Sequence, residues 1–174
     1  MSGVGAASIR RLDTADVEAF RELRGAALAS EPAAFAAHPD DPEEAKCEPE
    51  HWRWRLLRSP VLAAAAPGGR LLGMAGWYRG GGVKTSHRAF LWGLFVRPEA
   101  RGRGLARGLL QAVIAEVRAA GGIESLWAGV SAEQQAATAL YERLGFTCWG
   151  LEPRALKLGD RFLDERQLVL FLEA

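Results

Sequence analysis

The residues best suited to chemistry lie between positions 96 and 115, where the chain reads VRPEARGRGLARGLLQAVIA. An apolar run over residues 89–96 stops at Arg97-Pro98, and proline cannot continue a central ladder. Arg101-Gly102-Arg103-Gly104 follows, after which Leu105, Leu109, Leu110, Val113 and Val117 recur at helical spacing. Strand, glycine-rich turn and helix in this order let backbone N–H groups at the helix start point at an anion, which the helix dipole also favours. Glycines at 102 and 104 keep side chains away from that approach. Arginines at 97, 101, 103 and 107 bring charge suited to phosphate oxygens. The pattern predicts a pyrophosphate cradle. It is not a P-loop, because no glycine here is followed by Lys-Ser or Lys-Thr, and Gly108 falls one residue late for a dinucleotide fingerprint.

A second chemically suggestive stretch is residues 131–146, SAEQQAATALYERLGF. Ala137, Leu140, Tyr141 and Leu144 form a helical stripe that Gly145 closes, and Ser131 with Gln134 predicts a capping box at its start. Taken together the two stretches resemble the landmarks of the GNAT-type N-acetyltransferase family. Arg101, Gly104 and Ala106 take the fixed positions of Q/R-x-x-G-x-G/A. Ala137, Leu140, Tyr141, Gly145 and Phe146 take those of N-x-x-A-x-x-L-Y-x-x-x-G-F, with Gln134 standing where the family usually has asparagine. The resemblance extends over roughly residues 8 to 173.

What the resemblance implies is specific. The fold class is α/β (an α+β mixed sheet): about six or seven strands flanked by about four helices, with two splayed parallel strands making a CoA cleft. The cosubstrate is acetyl-CoA, with no metal. Backbone groups at Leu94 and Val96, with Phe95 between them, are expected to hydrogen-bond the pantetheine arm as an added strand would. Arg101, Gly102, Arg103, Gly104, Leu105, Ala106 and Arg107 are expected around the pyrophosphate, and the Gln134 amide is a further cofactor contact. The reaction implied is direct attack by a primary amine, of a small molecule or a peptide, on the thioester carbonyl in a ternary complex. Tyr141 has the position of the acid that protonates the departing thiolate, a phenol of pKa about 10 serving a thiol of about 8.5.

No base for the attacking ammonium stands out. Residues 89–96 carry no carboxylate; Glu99, His87 and the Asp164-Glu165 pair are the nearby titratable groups, and a water chain would serve without them. Two other readings therefore stay open: a non-catalytic acetyl-CoA sensor or scaffold of the same fold, and an acyltransferase for a longer acyl-CoA. An RNA-binding module built on the RGRG turn is disfavoured, since no aromatic platform accompanies it.

The elements that must position these residues follow in order. Residues 8–12 suit a first strand, and Asp13 caps a helix whose buried face is Val17, Phe20, Leu23, Ala27 and Leu28, with Asp16 at its third position. Residues 31–50 contain Pro32, Pro39, Pro42 and Pro49 and an acidic run from Asp40 to Glu44. They suit a mobile, acidic loop; the resemblance implies that this segment helps shape the acceptor site, and its acidity leans toward a cationic amine. His38, Cys47 and His51 match no standard metal spacing. Residues 50–57 suit a helix with Trp54 and Leu57 on one side, Trp52 and Trp54 being candidates for the acceptor pocket. Residues 61–66 and 71–78 flank Pro67-Gly68-Gly69 as an antiparallel hairpin, and a strand over 87–96 pairs in parallel with one over 123–130 by a right-handed crossover. Residues 147–151 and 166–172 close the sheet as an antiparallel pair.

The bulk properties set the frame. A chain of 174 residues suits one domain over 1–174, residues 1–7 being a flexible start. Hydrophobic residues make up 49% and the formal net charge is +1, which argues against a general nucleic-acid or membrane surface and confines any basic function to the arginine turn. The start has no basic segment followed by an apolar one, and no run approaches the ~20 apolar residues of a membrane span. Two distant cysteines, Cys47 and Cys148, call for no disulfide and suit a reducing, cytoplasmic setting. A homodimer is compatible with the family and unmarked by any sequence feature.

Overall fold

The computed structural model describes residues 7–46 and 48–172, so Cys47 and nearly all of the expected flexible start lie outside the described residues. The chain runs β1 (Ser8–Arg11), α1 (Val17–Ser30), α2 (Pro49–Arg58), β2 (Val61–Ala65), β3 (Leu71–Arg79), β4 (Arg88–Val96), α3 (Leu105–Ala119), β5 (Ser125–Ser131), α4 (Gln135–Arg143), β6 (Thr147–Leu158) and β7 (Arg161–Phe171). One seven-stranded sheet has the order β1-β2-β3-β4-β5-β7-β6. The mixed sheet with helices on both faces agrees with the fold expected from the sequence.

Local chemistry explains the entry into α1. Asp13 accepts from the Ala15 N–H at 2.7 Å and the Asp16 carboxylate accepts from the Asp13 N–H at 2.9 Å, a reciprocal box around a 3-10 turn. Phe20, Leu23 and Ala27 of α1 then pack with Trp52 and Leu56 of α2 against Val61, Ala63, Met74 and Phe95 on one face of the sheet. On the other face Leu109, Leu110, Val113 and Val117 of α3 and Tyr141 of α4 meet Leu72, Ala75, Ala89, Leu91, Val96, Leu126 and Ala128.

The feature that opens the sheet is in β4. It pairs with β3 along most of its length, but with its parallel neighbour β5 only where Arg88–Phe90 meet Ser125–Trp127. Beyond that point the two strands part. Opposite Met74 and Gly76 of β3 lie Phe95 and Trp92, so β4 carries one residue more than its partner, and Gly93 takes a φ of +67°. An inserted residue bends a strand and breaks its ladder. It also shifts the alternation of faces: Ala89 and Leu91 point to α3, and after the bulge it is Val96 that does so, while Phe95 joins the α1 side.

Glycines of β3 accommodate this bend. A Cβ on Gly76 would run into the Trp92 indole, and one on Gly73 would lie 2.7 Å from the Phe95 carbonyl oxygen. Gly76→Ala should therefore cost about 1–3 kcal/mol. The check is urea unfolding, with Gly81→Ala as reference because a Cβ there meets nothing within 4 Å; equal midpoints for the two variants would show that the indole yields freely.

Three local expectations need correction. On α2 the buried pair is Trp52 and Leu56, one turn apart, whereas Trp54 and Leu57 are 54% and 72% exposed. The closing hairpin is longer than the expected residues 147–151 and 166–172. Its two strands meet at a Gly159-Asp160 turn, and its outer strand is exposed for most of its length, so no apolar alternation betrays it. The predicted capping box at Ser131 does not form. Ser131 is the last residue of β5, fixed opposite Glu165, and α4 starts only after Gln134, which caps it with no side-chain hydrogen bond.

Candidate functional site

Where β4 and β5 part there is a cavity of about 370 Å³ on the α3/α4 side of the sheet. Leu94, Phe95 and Val96 of β4, Arg101 and Ala106 at the start of α3, and Gln134 and Tyr141 of the α4 segment all line it. Seven of the sequence-predicted site residues thus share one cavity. Gly102, Arg103, Gly104, Leu105 and Arg107 do not line it; they form the turn and first helical residues between Arg101 and Ala106 and just beyond.

That turn is shaped for an anion. Gly102 and Gly104 have φ values of +74° and +76°, a region other residues enter at a cost, and a Cβ on either would meet nothing within 4 Å. Gly104 precedes α3 and no side chain caps the helix, so its first-turn amides are left for another acceptor. The arginines divide their labour. Arg101 donates to the Val96 carbonyl at 3.1 Å and to Glu31 at 2.7 Å, and Arg103 donates to the Glu99 carbonyl at 3.2 Å, so both brace the turn. Arg107 is exposed at the helix start. Arg97 leaves the set: it is buried, donating to the Leu71 carbonyl at 2.8 Å and to Glu22 at 2.5 Å. Open backbone, a helix N-terminus and nearby guanidinium groups fit a phosphate group.

Tyr141 sits in the cavity wall with its ring buried and edge-on to Phe146 at 5.1 Å. Burial pushes its phenol well above the ordinary range, so it stays protonated at any working pH.

A second cavity, also about 370 Å³, lies on the α1/α2 side of the same opening. Phe35, Trp92, Gly93 and Gly129 line both, so the two cavities meet through the gap in the sheet. The second is walled by Tyr78, Phe90, Trp127 and Trp149, by the guanidinium groups of Arg24 and Arg88, and by Glu165 with Gln167. The Glu165 carboxylate lies across Gly129, 2.6 Å from where a Cβ would be, and accepts from the Gln167 amide at 2.9 Å. Burial raises its pKa, opposed by the Gln167 hydrogen bond and reinforced by the Glu152 carboxylate on the next strand.

Among the groups considered as bases, Glu165 is the one that lines the second cavity, against Gly129, which lines both. Glu99 is bound to Arg70 at 2.8 Å, Asp164 accepts from the Arg154 N–H at 2.8 Å, and His87 lines neither cavity. The aromatic wall comes from Trp92, Trp127 and Trp149 instead of α2. Trp52 is core, its indole donating to the Lys46 carbonyl at 2.8 Å, and Trp54 is exposed. The loop over residues 31–48 does contribute, through Ala34 and Phe35. Of its acidic run, Glu44 is turned inward onto Arg24 and Arg55, while Glu43 binds Lys46 at the surface, Asp41 accepts from the His38 N–H, and Asp40 is exposed. None of Asp40, Asp41, Glu43 and Glu44 lines either cavity. Among the described residues no cluster of three or more His, Cys, Asp or Glu is placed to hold a metal ion, and no helix is long and apolar enough to cross a membrane.

Arg24 and Arg88 were not singled out from the sequence, although a signal exists. Arg24 stands at the apolar stripe position between Phe20 and Leu28, and Arg88 begins an alternation continued by Phe90 and Trp92. A charge on a buried stripe asks for a partner.

Comparisons with known proteins agree with this fold. The chain is 31% identical over 105 residues to an L-methionine sulfoximine/L-methionine sulfone acetyltransferase of Pseudomonas aeruginosa, covering 60% of each protein. It is 34% identical over 129 residues to the mycothiol acetyltransferase of Salinispora tropica, covering 70% of this chain and 40% of that one. The matches thus span about 60% or less of these curated relatives' own length. A Salmonella typhimurium structure containing acetyl-CoA superposes with a TM-score of 0.79 at 26% identity, covering 97% of this chain and 95% of that one. Residues 21–146 match the model of the acetyltransferase (GNAT) family, and the chain belongs to that family.

Proposed function

We propose that this protein transfers an acetyl group from acetyl-CoA to a primary amine of a small molecule or peptide by direct attack in a ternary complex. The observation that carries the reading is the meeting of two cavities at Gly93 and Gly129, one against an anion-shaped turn and a buried tyrosine, the other against a carboxylate. Donor and acceptor entering from opposite faces would be held with their reacting atoms adjacent, which is where much of the rate gain of a two-substrate reaction arises. The relatives named above are an acetyltransferase of L-methionine sulfoximine and L-methionine sulfone and a mycothiol acetyltransferase, and an acceptor cavity of about 370 Å³ favours a small molecule here too.

In this reading the amides of residues 104–107 and Arg101 hold the pyrophosphate, backbone groups at Leu94 to Val96 hold the pantetheine arm, and the Gln134 amide adds a contact. The acceptor enters as an ammonium and loses a proton to Glu165. Its nitrogen forms a bond to the carbonyl carbon, and a backbone N–H near Leu94 donates to the oxygen that gains charge. Collapse breaks the carbon–sulfur bond, the thiolate takes its proton from Tyr141, and the second proton shed by the nitrogen restores the tyrosine through solvent. The products are the acetamide, CoA thiol and one proton released to solvent once both side chains return to their starting states.

Incubating the full chain with acetyl-CoA and a panel of amines, with CoA thiol release and the mass of the product as readouts, tests the proposal. Acetylated product with matching thiol release is expected. Acetyl-CoA binding without turnover of any amine would favour the sensor or scaffold reading, and preference for a longer acyl-CoA would correct the donor.

The role given to Glu165 predicts a pH signature. Activity should rise with pH through its raised pKa, and Glu165→Gln should lower kcat by about a hundredfold and remove that limb. The groups facing Glu165 are Glu152 from β6, Gln167 on its own strand, and Arg24 and Arg88 across the cavity. Because the folded pKa lies above the unfolded one, this carboxyl supports the fold at low pH and ceases to as pH rises through the folded value. Glu165→Gln should therefore melt higher than wild type at neutral pH, a gain in stability with a loss of rate. A variant that is slower and also less stable would mark Glu165 as structural.

A further inference from the structure

The acceptor cavity is walled by more arginine charge than its ion pairs neutralise. Arg24 is 4% exposed and clasps Glu44 through Nε at 3.2 Å and Nη2 at 2.9 Å, while Arg55 binds the same carboxylate at 3.1 Å. Two guanidinium groups thus share one carboxylate, leaving a net positive charge behind the cavity wall. The Nη1 atoms of both arginines are buried and have no hydrogen-bond partner among the described residues. That of Arg24 lies 3.6 Å from the point a Cβ on Gly93 would occupy, at the opening between the two cavities. The aromatic rings of Phe35 and Trp92, each 5.5 Å from the guanidinium carbon, hold it there.

Arg88 repeats the pattern on β4. Its guanidinium lies 3.9 Å from the Trp127 ring centre and 5.1 Å from that of Phe90. It forms no ion pair among the described residues, and its buried Nε has no hydrogen-bond partner. A guanidinium stacked on an aromatic ring presents its N–H groups in the plane of the stack, suited to a planar carboxylate. Glu165 lies on the β5 side of the same opening. The cavity has a cationic wall and an anionic one.

We infer that the acceptor is an amine that also carries a carboxylate, an amino-acid-type zwitterion, with Arg24 and Arg88 receiving its carboxylate and Glu165 facing its ammonium. The inference rests on the acetyltransferase reading and narrows its acceptor. The carboxylate completes the hydrogen bonding of buried N–H groups that the fold leaves unpaired. An amine without an anionic group leaves them so, and a site built to hydrogen-bond a group rejects analogues that lack it.

The test compares kcat/KM, from CoA thiol release, for matched acceptors: L-methionine against 3-(methylthio)propylamine, and L-phenylalanine against 2-phenylethylamine. The carboxylate should raise kcat/KM about ten- to a hundredfold or more, the effect of one to two charge-assisted hydrogen bonds. Arg88→Gln should collapse that preference by a similar factor while titration still shows acetyl-CoA binding. Arg24→Lys tests the buried partner, with circular dichroism to confirm folding; Arg88→Gln and the wild-type pairs suffice if it does not fold. Equal or better turnover of the bare amines overturns the inference and leaves the acetyltransferase reading standing. If acetyl-CoA binds but neither kind of amine reacts, titration of each pair into the acetyl-CoA-loaded protein decides it, carboxylate-dependent binding supporting the inference and its absence overturning it. No binding of acetyl-CoA removes the underlying function itself. Aminoalkyl phosphonates in the same assay separate a demand for carboxylate from acceptance of any oxyacid, and a phosphonate preference would correct the class.

Discussion

Tyr141→Phe should lower kcat by a factor of about 10² to 10⁴ while leaving the affinity for acetyl-CoA unchanged. The substitution removes one oxygen from a buried ring whose packing against Phe146 does not depend on it, so the fold should survive. The phenol is pushed up by burial, which makes it a poor acid in isolation and a dependable hydrogen-bond donor at every working pH. Its value at the thiolate does not require it to ionise beforehand. It donates to a sulfur whose charge grows as the carbon–sulfur bond breaks, and that interaction is absent from the ground state, so the loss falls on kcat. The pH profile adds a second check: wild type should show no alkaline fall from Tyr141 up to the ordinary phenol value of about 10. A loss of only a few-fold in Tyr141→Phe would reduce this residue to packing.

Gly104→Glu should abolish measurable binding of acetyl-CoA. A Cβ at this position meets nothing within 4 Å, so the protein alone has room for the side chain and suffers only the strain of a φ of +76°, about 1–2 kcal/mol. The ligand suffers more. A carboxylate about 4 Å from a phosphate charge near a protein surface is repelled by about 4 kcal/mol, roughly a thousandfold in affinity. Isothermal titration against wild type and Gly104→Ala separates the causes, since alanine brings the strain without the charge. Unaltered binding in Gly104→Glu would place the pyrophosphate elsewhere.

The residues of the proposed donor side could be named from the sequence, and those of the proposed acceptor side largely could not. Glycines that need positive φ, a proline ending a strand and a tyrosine on a helical stripe each announce themselves within a few residues. They let residues 94–96, 101–107, 134 and 141 be named together, and seven of the twelve line one cavity. The second cavity is assembled from α1, the following loop, β3, β4, β5, β6 and β7. No short stretch carries its pattern. Arg24 is 20 residues from Glu44, and only the packing of the loop against α1 turns a charge on an apolar stripe into a buried cluster. The capping box failed for a related reason. Ser131 has the right residue type and spacing, but pairing with β7 holds its backbone extended before the helix can recruit it. Local propensity yielded to the ladder.

The extra residue of β4 bears on how such a site can be gained or lost. With it, Gly93 and its neighbours fall out of step with β5 and the seam stays unzipped. The opening thus depends on chain length at one point more than on any side chain along it, and Leu94 or Phe95 can drift among apolar residues while the gap persists. A substitution tunes such a site. A one-residue deletion at the bulge would instead bring β4 back into step with β3 and remove the bend that opens the seam. The vulnerability of this fold is therefore to a change in the count of residues, a kind of mutation that inspection of conserved side chains does not reveal.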